Sequence, residues 1–465
     1  MNDAVTPLRA DSSPSEVLAG FTANLDLAEV PDDVVAYARV LMLDLLGAAL
    51  AGVDTEETRA MLSAARGFAP TSGPCAIWGT TGTTTAAAAA LVNGVIAHAQ
   101  ELDDFGGADH SGAVVVPAVL AVAEAEGITD GATALAAMIG GYDVALRVLD
   151  AMGGYRAHNS GGGWHSTGTC GSFGAAAAAA RMLGLDTERT AWALGIAGSF
   201  TGGIWAYLAD GAMSKRYHPG RAAEIGVTAA YMARAGFTGP TRVLDAPWGG
   251  FLATYGRGVE RPEELTRDLA RPYRIMRSGI KPHAACRGLH SALDVVLGLR
   301  AAHRFTAADV EAVEIGCSRA NMLSLADTDP RTRLAAQMSM PYGIGVALVT
   351  GRAGLEEFED RRINDPEVRA AMGRVAMSHD PGHDDDTEPD VAVVLADGRR
   401  FEGHVPIGLG DWRNPLTTAQ VVEKYESLAP RVLADADVAA LRDAVFALPE
   451  PGRLEAVVAA LRRPR

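Results

Sequence analysis

What this 465-residue chain lacks narrows it first. Its four cysteines, Cys75, Cys170, Cys286 and Cys317, are too few and too scattered for a disulfide framework. No two form a C-x-x-C pair, which excludes a zinc ribbon or an iron–sulfur ligand set. The N-terminal stretch MNDAVTPLRADSSPSEV has no apolar signal core. No uninterrupted apolar run reaches the roughly 18 residues of a membrane span, the nearest being cut by Pro117, Arg181 or clusters of Thr and His. Positive charge is also short: 41 Lys+Arg against 57 Asp+Glu give a net charge of −16. That balance argues against a nucleic acid or an anionic membrane as partner. The expectation is a soluble cytoplasmic protein.

What is present is core material. Hydrophobic residues make up 48% and charged residues 21%, which excludes a disordered chain. Glycine is in excess at 52 residues, which points to tight turns and close backbone approaches. Apolar residues recur at helical spacing over 32–50, 83–100, 116–125, 131–149, 172–184 and 220–235. The pattern changes near residue 275. Val313, Ile315 and Cys317 alternate with polar or small neighbours, as do Val391, Val393 and Leu395, and Asp397-Gly398 then marks a hairpin turn. Thr306-x-x-Asp309 and Thr417-x-x-Gln420 read as capping boxes. The fold expected is mostly α: a large all-helical domain from both chain ends, 1–274 and 406–465, with a smaller α+β domain inserted at 275–405. Residues 380–389 (DPGHDDDTEP) read as a charged loop.

Four segments mix glycine with titratable side chains. The first runs from His98 to Gly112 and holds four acids and two histidines, with Glu101 and Asp104 on one face if the preceding helix continues. Its donor types would suit a metal, but the loop lacks a recognised ligand spacing, so neither metal nor cofactor is expected. The second, Gly161–Gly171, opens the Ala-rich helix with His165 among glycines and hydroxyls, a setting that suits an anion. Cys170 lacks an activating context. The third, Asp210–Arg221, places Lys215, Arg216, Arg221 and His218 ahead of a helix in an acidic protein, a basic island suited to a carboxylate. There Lys215 is expected to anchor substrate at little cost to stability, with Arg216 either beside it or facing solvent. The fourth, Lys281–His290, lies at the domain switch, and His290 reads as a core histidine.

These four segments, in this order, together with SMPYGIGVAL and GDWRNPL, resemble the MmgE/PrpD family along nearly the whole chain. The resemblance implies the two-domain architecture, an active site at the domain junction and a homodimer. It also implies cofactor-independent chemistry on a small di- or tricarboxylate: a lyase or isomerase, with dehydration or decarboxylation favoured. Epimerisation of an iminodisuccinate-type acid, or a non-catalytic carboxylate-binding role, are the alternatives. By the family's motifs, His110, His165, Lys215 and Tyr342 are implied as catalytic. Glu101, Asp104, Arg216, His218 and Lys281 are implied as substrate-binding. Removing a proton or CO₂ next to a carboxylate builds negative charge, which such cations would stabilise while a histidine moves the proton. The linker from Asp104 to His110 is shorter and richer in glycine than in many relatives.

Overall fold

The computed structural model describes residues 12–462; the polar stretch up to residue 11 lies outside the described residues. The protein is mostly helical, as the periodicity predicts. The first half supplies α1 (Asp32–Gly52), α2 (Ala86–His98), α3 (Ser111–Glu126), α4 (Gly131–Ala151), α5 (Gly171–Met182) and α6 (Ser214–Arg234). Small residues let these helices approach closely. A Cβ on Gly94 of α2 would lie 2.6 Å from Gly220 Cα of α6, and one on Gly174 of α5 would lie 2.6 Å from the Gly141 carbonyl oxygen of α4. Backbone meets backbone at both crossings, which only glycine permits.

Two features differ from expectation. Helices α1 and α4 are long and apolar enough to cross a membrane by length and composition, although the sequence scan found no such run. In the structure 83% and 89% of their apolar windows are buried inside the bundle, so their all-round hydrophobicity serves central core positions. Helix α6 begins at Ser214, six residues before the expected start, and runs through Pro219. Proline near a helix start removes only one N–H from the ladder. Lys215, Arg216 and His218 therefore sit on the first turns of α6 rather than on a loop ahead of it.

The inserted sheet has four strands: β1 (Val310–Cys317), β2 (Val375–His379), β3 (Asp390–Leu395) and β4 (Arg400–His404), in the order β2-β1-β3-β4. Strands β1 and β2 are parallel and the other pairs antiparallel. Gly398 closes the β3–β4 hairpin at φ +86°. Leu293, Val296, Val313, Ile315 and Val393 form the centre of this second core. The first core gathers residues from the chain's N-terminal part together with Val421, Tyr425, Leu441, Val445 and Val457. Both expected capping boxes are present, at Thr306/Asp309 and Thr417/Gln420.

The chain passes between the two cores on adjacent extended segments. Ile280 N–H donates to the Gly410 carbonyl at 2.8 Å. Phe105 and Gly279 exchange two backbone hydrogen bonds, at 3.0 and 2.7 Å. The loop after α2 is thus stitched to the crossing strand, which brings Lys281 to it.

Candidate active site

The loop 99–110 is not a continued helix. Helix α2 ends at His98, and Glu101 and Asp109 take left-handed φ values of +54° and +73°. This breaks the face that Glu101 and Asp104 were expected to share and sends their carboxylates in different directions. Glu101 turns toward α6 and the domain crossing. Its Oε1 accepts from Lys215 Nζ at 2.5 Å and from Lys281 Nζ at 3.0 Å, and its Oε2 pairs with Arg216. All four side chains are buried, with Arg216 only 1% exposed, so the solvent-facing alternative for Arg216 is excluded. Burial alone would raise the Glu101 carboxyl, but Lys215, Lys281 and Arg216 outweigh it and hold Glu101 well below the usual carboxylate range. Burial also lowers the Lys215 ammonium, whereas for Lys281 the attraction of Glu101 and Asp103 overcomes burial and raises it.

Asp104 points the other way. Its carboxylate accepts the Gly112 N–H at 3.0 Å and the Tyr142 hydroxyl at 2.9 Å, anchoring the start of α3. Burial, reinforced by the neighbouring Asp103 charge, pushes it up to about 7. Asp104 thus holds the loop in place and is not among the groups facing the cation cluster.

The histidines form two relays. Asp103 Oδ1 lies 2.9 Å from His98 Nδ1 and Asp103 Oδ2 lies 3.1 Å from His110 Nδ1. Burial holds His98 well below its ordinary pKa. Neutral His98 therefore donates from Nδ1 to Asp103, and its Nε2 accepts from Arg216 at 3.4 Å. Burial opposes charge on His110 too, but Asp109 and Asp103 overcome it and the net shift is upward. Its Nδ1–H is shared between Asp103 and the Asp104 carbonyl at 3.0 Å. Its Nε2 has Asp109 and Glu101 oxygens at 3.6 and 3.7 Å, just beyond hydrogen-bond reach, so that proton is unclaimed.

The second relay starts at Asp109, whose Oδ2 lies 3.0 Å from His165 Nε2, while His165 Nδ1 lies 2.7 Å from His218 Nδ1. Burial lowers His165, and lowers His218 to about 3. With both rings neutral, His165 donates to Asp109 and accepts from His218, leaving His218 Nε2 as an acceptor. The ring of Tyr207 packs 5.8 Å from both histidines, and its buried hydroxyl has no partner among the described residues. Burial raises that phenol far above neutrality, so it remains a donor. From the second domain, Gln337 Oε1 accepts from Arg216 at 2.8 Å, and its amide donates to the Gln100 carbonyl at 2.8 Å.

Of the nine residues singled out from the sequence, the structure thus joins Glu101, His110, His165, Lys215, Arg216, His218 and Lys281 in one buried network. It does not bring Tyr342 there. The Tyr342 hydroxyl donates to the Glu357 carbonyl at 2.6 Å inside the second core, packed on Phe358. Sequence reasoning missed the roles of His98, Asp103 and Asp109, although it had singled out their segment. Tyr207 and Gln337 gave no signal at all. Cys170 is buried and pushed up to about 12 by that burial, in keeping with an inert thiol.

Two donor groups, His98–Asp103–His110 and Asp109–His110–His165, each bring ligand atoms within 4.8 Å of one another. A dication at either would sit beside Lys215, Arg216 and Lys281, and would have to displace the proton shared between each histidine and its aspartate.

A helical enzyme scaffold with a buried carboxylate, three fixed cations and two Asp–His relays at a domain junction defines a class that moves protons near an anion. Residues 16–263 match the MmgE/PrpD N-terminal domain and residues 283–448 the MmgE/PrpD C-terminal domain. The chain belongs to the MmgE/PrpD family and is a lyase of that family. It is similar to a cis-aconitate decarboxylase-like protein of Aspergillus oryzae, 29% identical over 96% of each chain. It is also similar to cis-aconitate decarboxylase of Aspergillus terreus, 28% identical over 94% of each chain. Cis-aconitate decarboxylase of Homo sapiens is 27% identical over 91% of this chain and 89% of its own.

Proposed function

We propose that this protein decarboxylates a small unsaturated tricarboxylate of the cis-aconitate type without a cofactor or metal. The observation that carries the reading is the unclaimed Nε2 proton of His110 beside the Lys215–Arg216–Lys281 cluster. In such a substrate one carboxylate sits on a saturated carbon next to the double bond. Its C–CO₂ bond breaks, and the released pair forms a new C=C bond to the adjacent alkene carbon. The former π pair then takes a proton at the far carbon, which carries another carboxylate. The atoms balance as CO₂ plus a dicarboxylate, with one proton supplied by the protein.

His110 is the proton donor in this scheme, because Asp103 and Asp109 favour its charged form and its Nε2–H is free. Lys215 and Lys281 stabilise the charge that develops against the carboxylate next to the protonated carbon. The Tyr207 hydroxyl supplies a donor that orients a remaining carboxylate. The cations make a resident metal electrostatically unfavourable, which supports the cofactor-free reading. A homodimer is what the family resemblance implies, and light scattering on the purified protein tests it.

Incubation with cis-aconitate, citrate and 2-methylcitrate in deuterated water tests the reaction. The expected result is CO₂ release from cis-aconitate with one deuterium retained on carbon. Water loss from a hydroxy acid without CO₂, or deuterium exchange alone, overturns the assignment.

A further inference from the structure

The charged loop 380–389 folds back over one end of the inserted sheet, far in sequence from the segments of the active site. There the strands bring four positions to the same end, three of them in register and Asp380 two residues beyond Ser378, the partner of Gly316. Asp380 follows the end of β2, Gly316 lies on β1, Asp390 opens β3 opposite Gly316, and His404 ends β4 opposite Asp390. A Cβ on Gly316 would lie 3.9 Å from the Cβ atoms of both Asp380 and Asp390, so no side chain stands between the two acids. His383 is carried onto this row by a tight turn, in which Asp380 Oδ1 accepts the Gly382 N–H at 2.7 Å and the Asp380 carbonyl accepts the His383 N–H at 3.0 Å.

We propose that Asp380, His383, Asp390 and His404 form a binding site for a divalent transition-metal ion of the zinc type. One ligand atom each from Asp380, His383 and Asp390 lies within 4.8 Å of the others. His383 Nε2 is 3.2 Å from Asp390 Oδ2, His383 Nδ1 is 3.7 Å from Asp380 Oδ2, and His404 Nδ1 is 2.9 Å from Asp390 Oδ1. Two donors on a tetrahedral zinc at about 2.1 Å stand roughly 3.4 Å apart, a spacing that His383 approaches toward Asp390 through Nε2 and toward Asp380 through Nδ1, while His404, outside the three that converge, would complete the set by a side-chain rotation. An independent feature points the same way. The His383 side chain is only 7% exposed, yet its Nδ1 is buried without a hydrogen-bond partner among the described residues. A buried imidazole nitrogen with nothing to bond is uncommon unless something else takes its lone pair or proton. Two imidazoles and two carboxylates select zinc, nickel or copper over calcium or magnesium, which prefer all-oxygen sets.

The site has a structural consequence. The same loop sends Asp384 and Asp385 to Arg156, at 3.6 and 3.4 Å, on the segment of the helical domain that precedes His165. At its far end Glu388 pairs with Arg287, which also meets Asp411 at 3.5 Å. An ion joining His383 to the sheet would therefore fasten a loop that already reaches the helical domain and the crossing segments. Asp384 and Asp385 would also add negative charge that attracts the cation.

The test uses the full chain, stripped with chelator and titrated with Zn²⁺ alone, reading stoichiometry by calorimetry and the thermal midpoint with and without Zn²⁺. The double variant His383→Gln/His404→Gln is compared at every step, and circular dichroism checks that it folds. The wild type should bind one more Zn²⁺ than the double variant, or bind it at least about 10-fold more tightly, as loss of a ligand predicts. Its midpoint should rise with Zn²⁺ by an increment the variant loses. If the variant does not fold, Asp390→Asn alone serves, with the same expectation. No Zn²⁺ bound by the wild type, or equal stoichiometry and affinity in wild type and variant, overturns the site.

Discussion

Replacing Lys215 by Met removes the ammonium while keeping most of the buried stem. In the structure Glu101 keeps two partners after this change, Lys281 at 3.0 Å on Oε1 and Arg216 on Oε2, so the carboxylate is not orphaned. The lost charge-assisted hydrogen bond is worth about 1.5–3 kcal/mol. Part of that is returned, because Lys215 is also repelled by Arg216 and Lys281. A net stability loss of about 1–2 kcal/mol is expected, larger than the near-zero change a surface lysine would give. Glu101→Gln is the informative partner. It leaves three buried cations facing a neutral amide, and breaking a buried pair from that side costs about 3–5 kcal/mol. Urea unfolding of the three proteins gives the order directly: wild type, then Lys215→Met, then Glu101→Gln. On the proposed function, loss of the same hydrogen bond to a substrate carboxylate should lower kcat/KM by about 10- to 150-fold, followed as CO₂ release from cis-aconitate. The reasoning fails if Lys215→Met is the less stable of the two variants. It fails equally if Lys215→Met keeps kcat/KM within twofold of the wild type while folded.

His110→Gln should lower kcat by about 10²–10⁴-fold with the fold intact by circular dichroism. In the wild type, kcat/KM should fall as pH rises through the upward-shifted pKa of His110, because the acid form does the work; a rate that rises with pH there refutes the donor role. Asp104 gives a stability test with a defined sign. Its folded pKa of about 7 lies above the unfolded value near 3.8, so its contribution is full below about pH 4 and is lost as pH rises through 7. Relative to Asp104→Asn, the wild type should therefore lose up to about 4 kcal/mol between pH 4 and 8, and a pH-independent difference refutes the shift. Tyr342→Phe should leave kcat/KM within about twofold and cost about 1 kcal/mol of stability, the value of its hydrogen bond to Glu357; a loss of turnover beyond 100-fold with the fold intact would return Tyr342 to the site.

The α periodicity, both capping boxes and the hairpin at Asp397-Gly398 were legible because each depends on neighbours within four residues. The start of α6 was not, since Pro219 and a run of cations argue locally against a helix that tertiary packing nevertheless continues to Ser214. Helices α1 and α4 were legible as core elements, but not their central places, because periodicity does not show which faces other helices cover. In the site, the histidine and lysine positions carried over from family motifs lie together in the structure, and so does Glu101, whereas Asp104 turns away to the start of α3. Loop 99–110 has no period, and its left-handed turns at Glu101 and Asp109 decide which carboxylate faces which cation. Tyr342 shows the opposite failure: a motif residue whose hydroxyl is consumed by a local carbonyl. Tyr207 had no motif, and only its unpartnered buried hydroxyl marks it.

The charge balance of the network bears on how it acts. Glu101, Asp103 and Asp109 offset Lys215, Arg216 and Lys281, while His98, His165 and His218 are held neutral. The remaining groups are Asp104, pushed up to about 7, and His110, whose shift favours its cation, so the fixed charges balance and the charge of the cluster turns on the proposed proton donor and its neighbour. Glu101 keeps three like charges together in the absence of substrate, a cost that a cradle without an internal carboxylate would bear as mutual repulsion. On the proposed function, a substrate carboxylate would meet cations already in position, and stabilisation of the developing charge would need no reorganisation at the reacting step. The same arrangement ties function to the domain crossing. Lys281 enters from the crossing strand and Gln337 from the second domain, so a shift of that domain moves one cation and releases the hydrogen bond that orients another. Gln337→Ala should accordingly raise KM for cis-aconitate more than it lowers kcat, since it loosens Arg216 without removing any charge; an unchanged KM with the fold intact would separate the second domain from substrate binding.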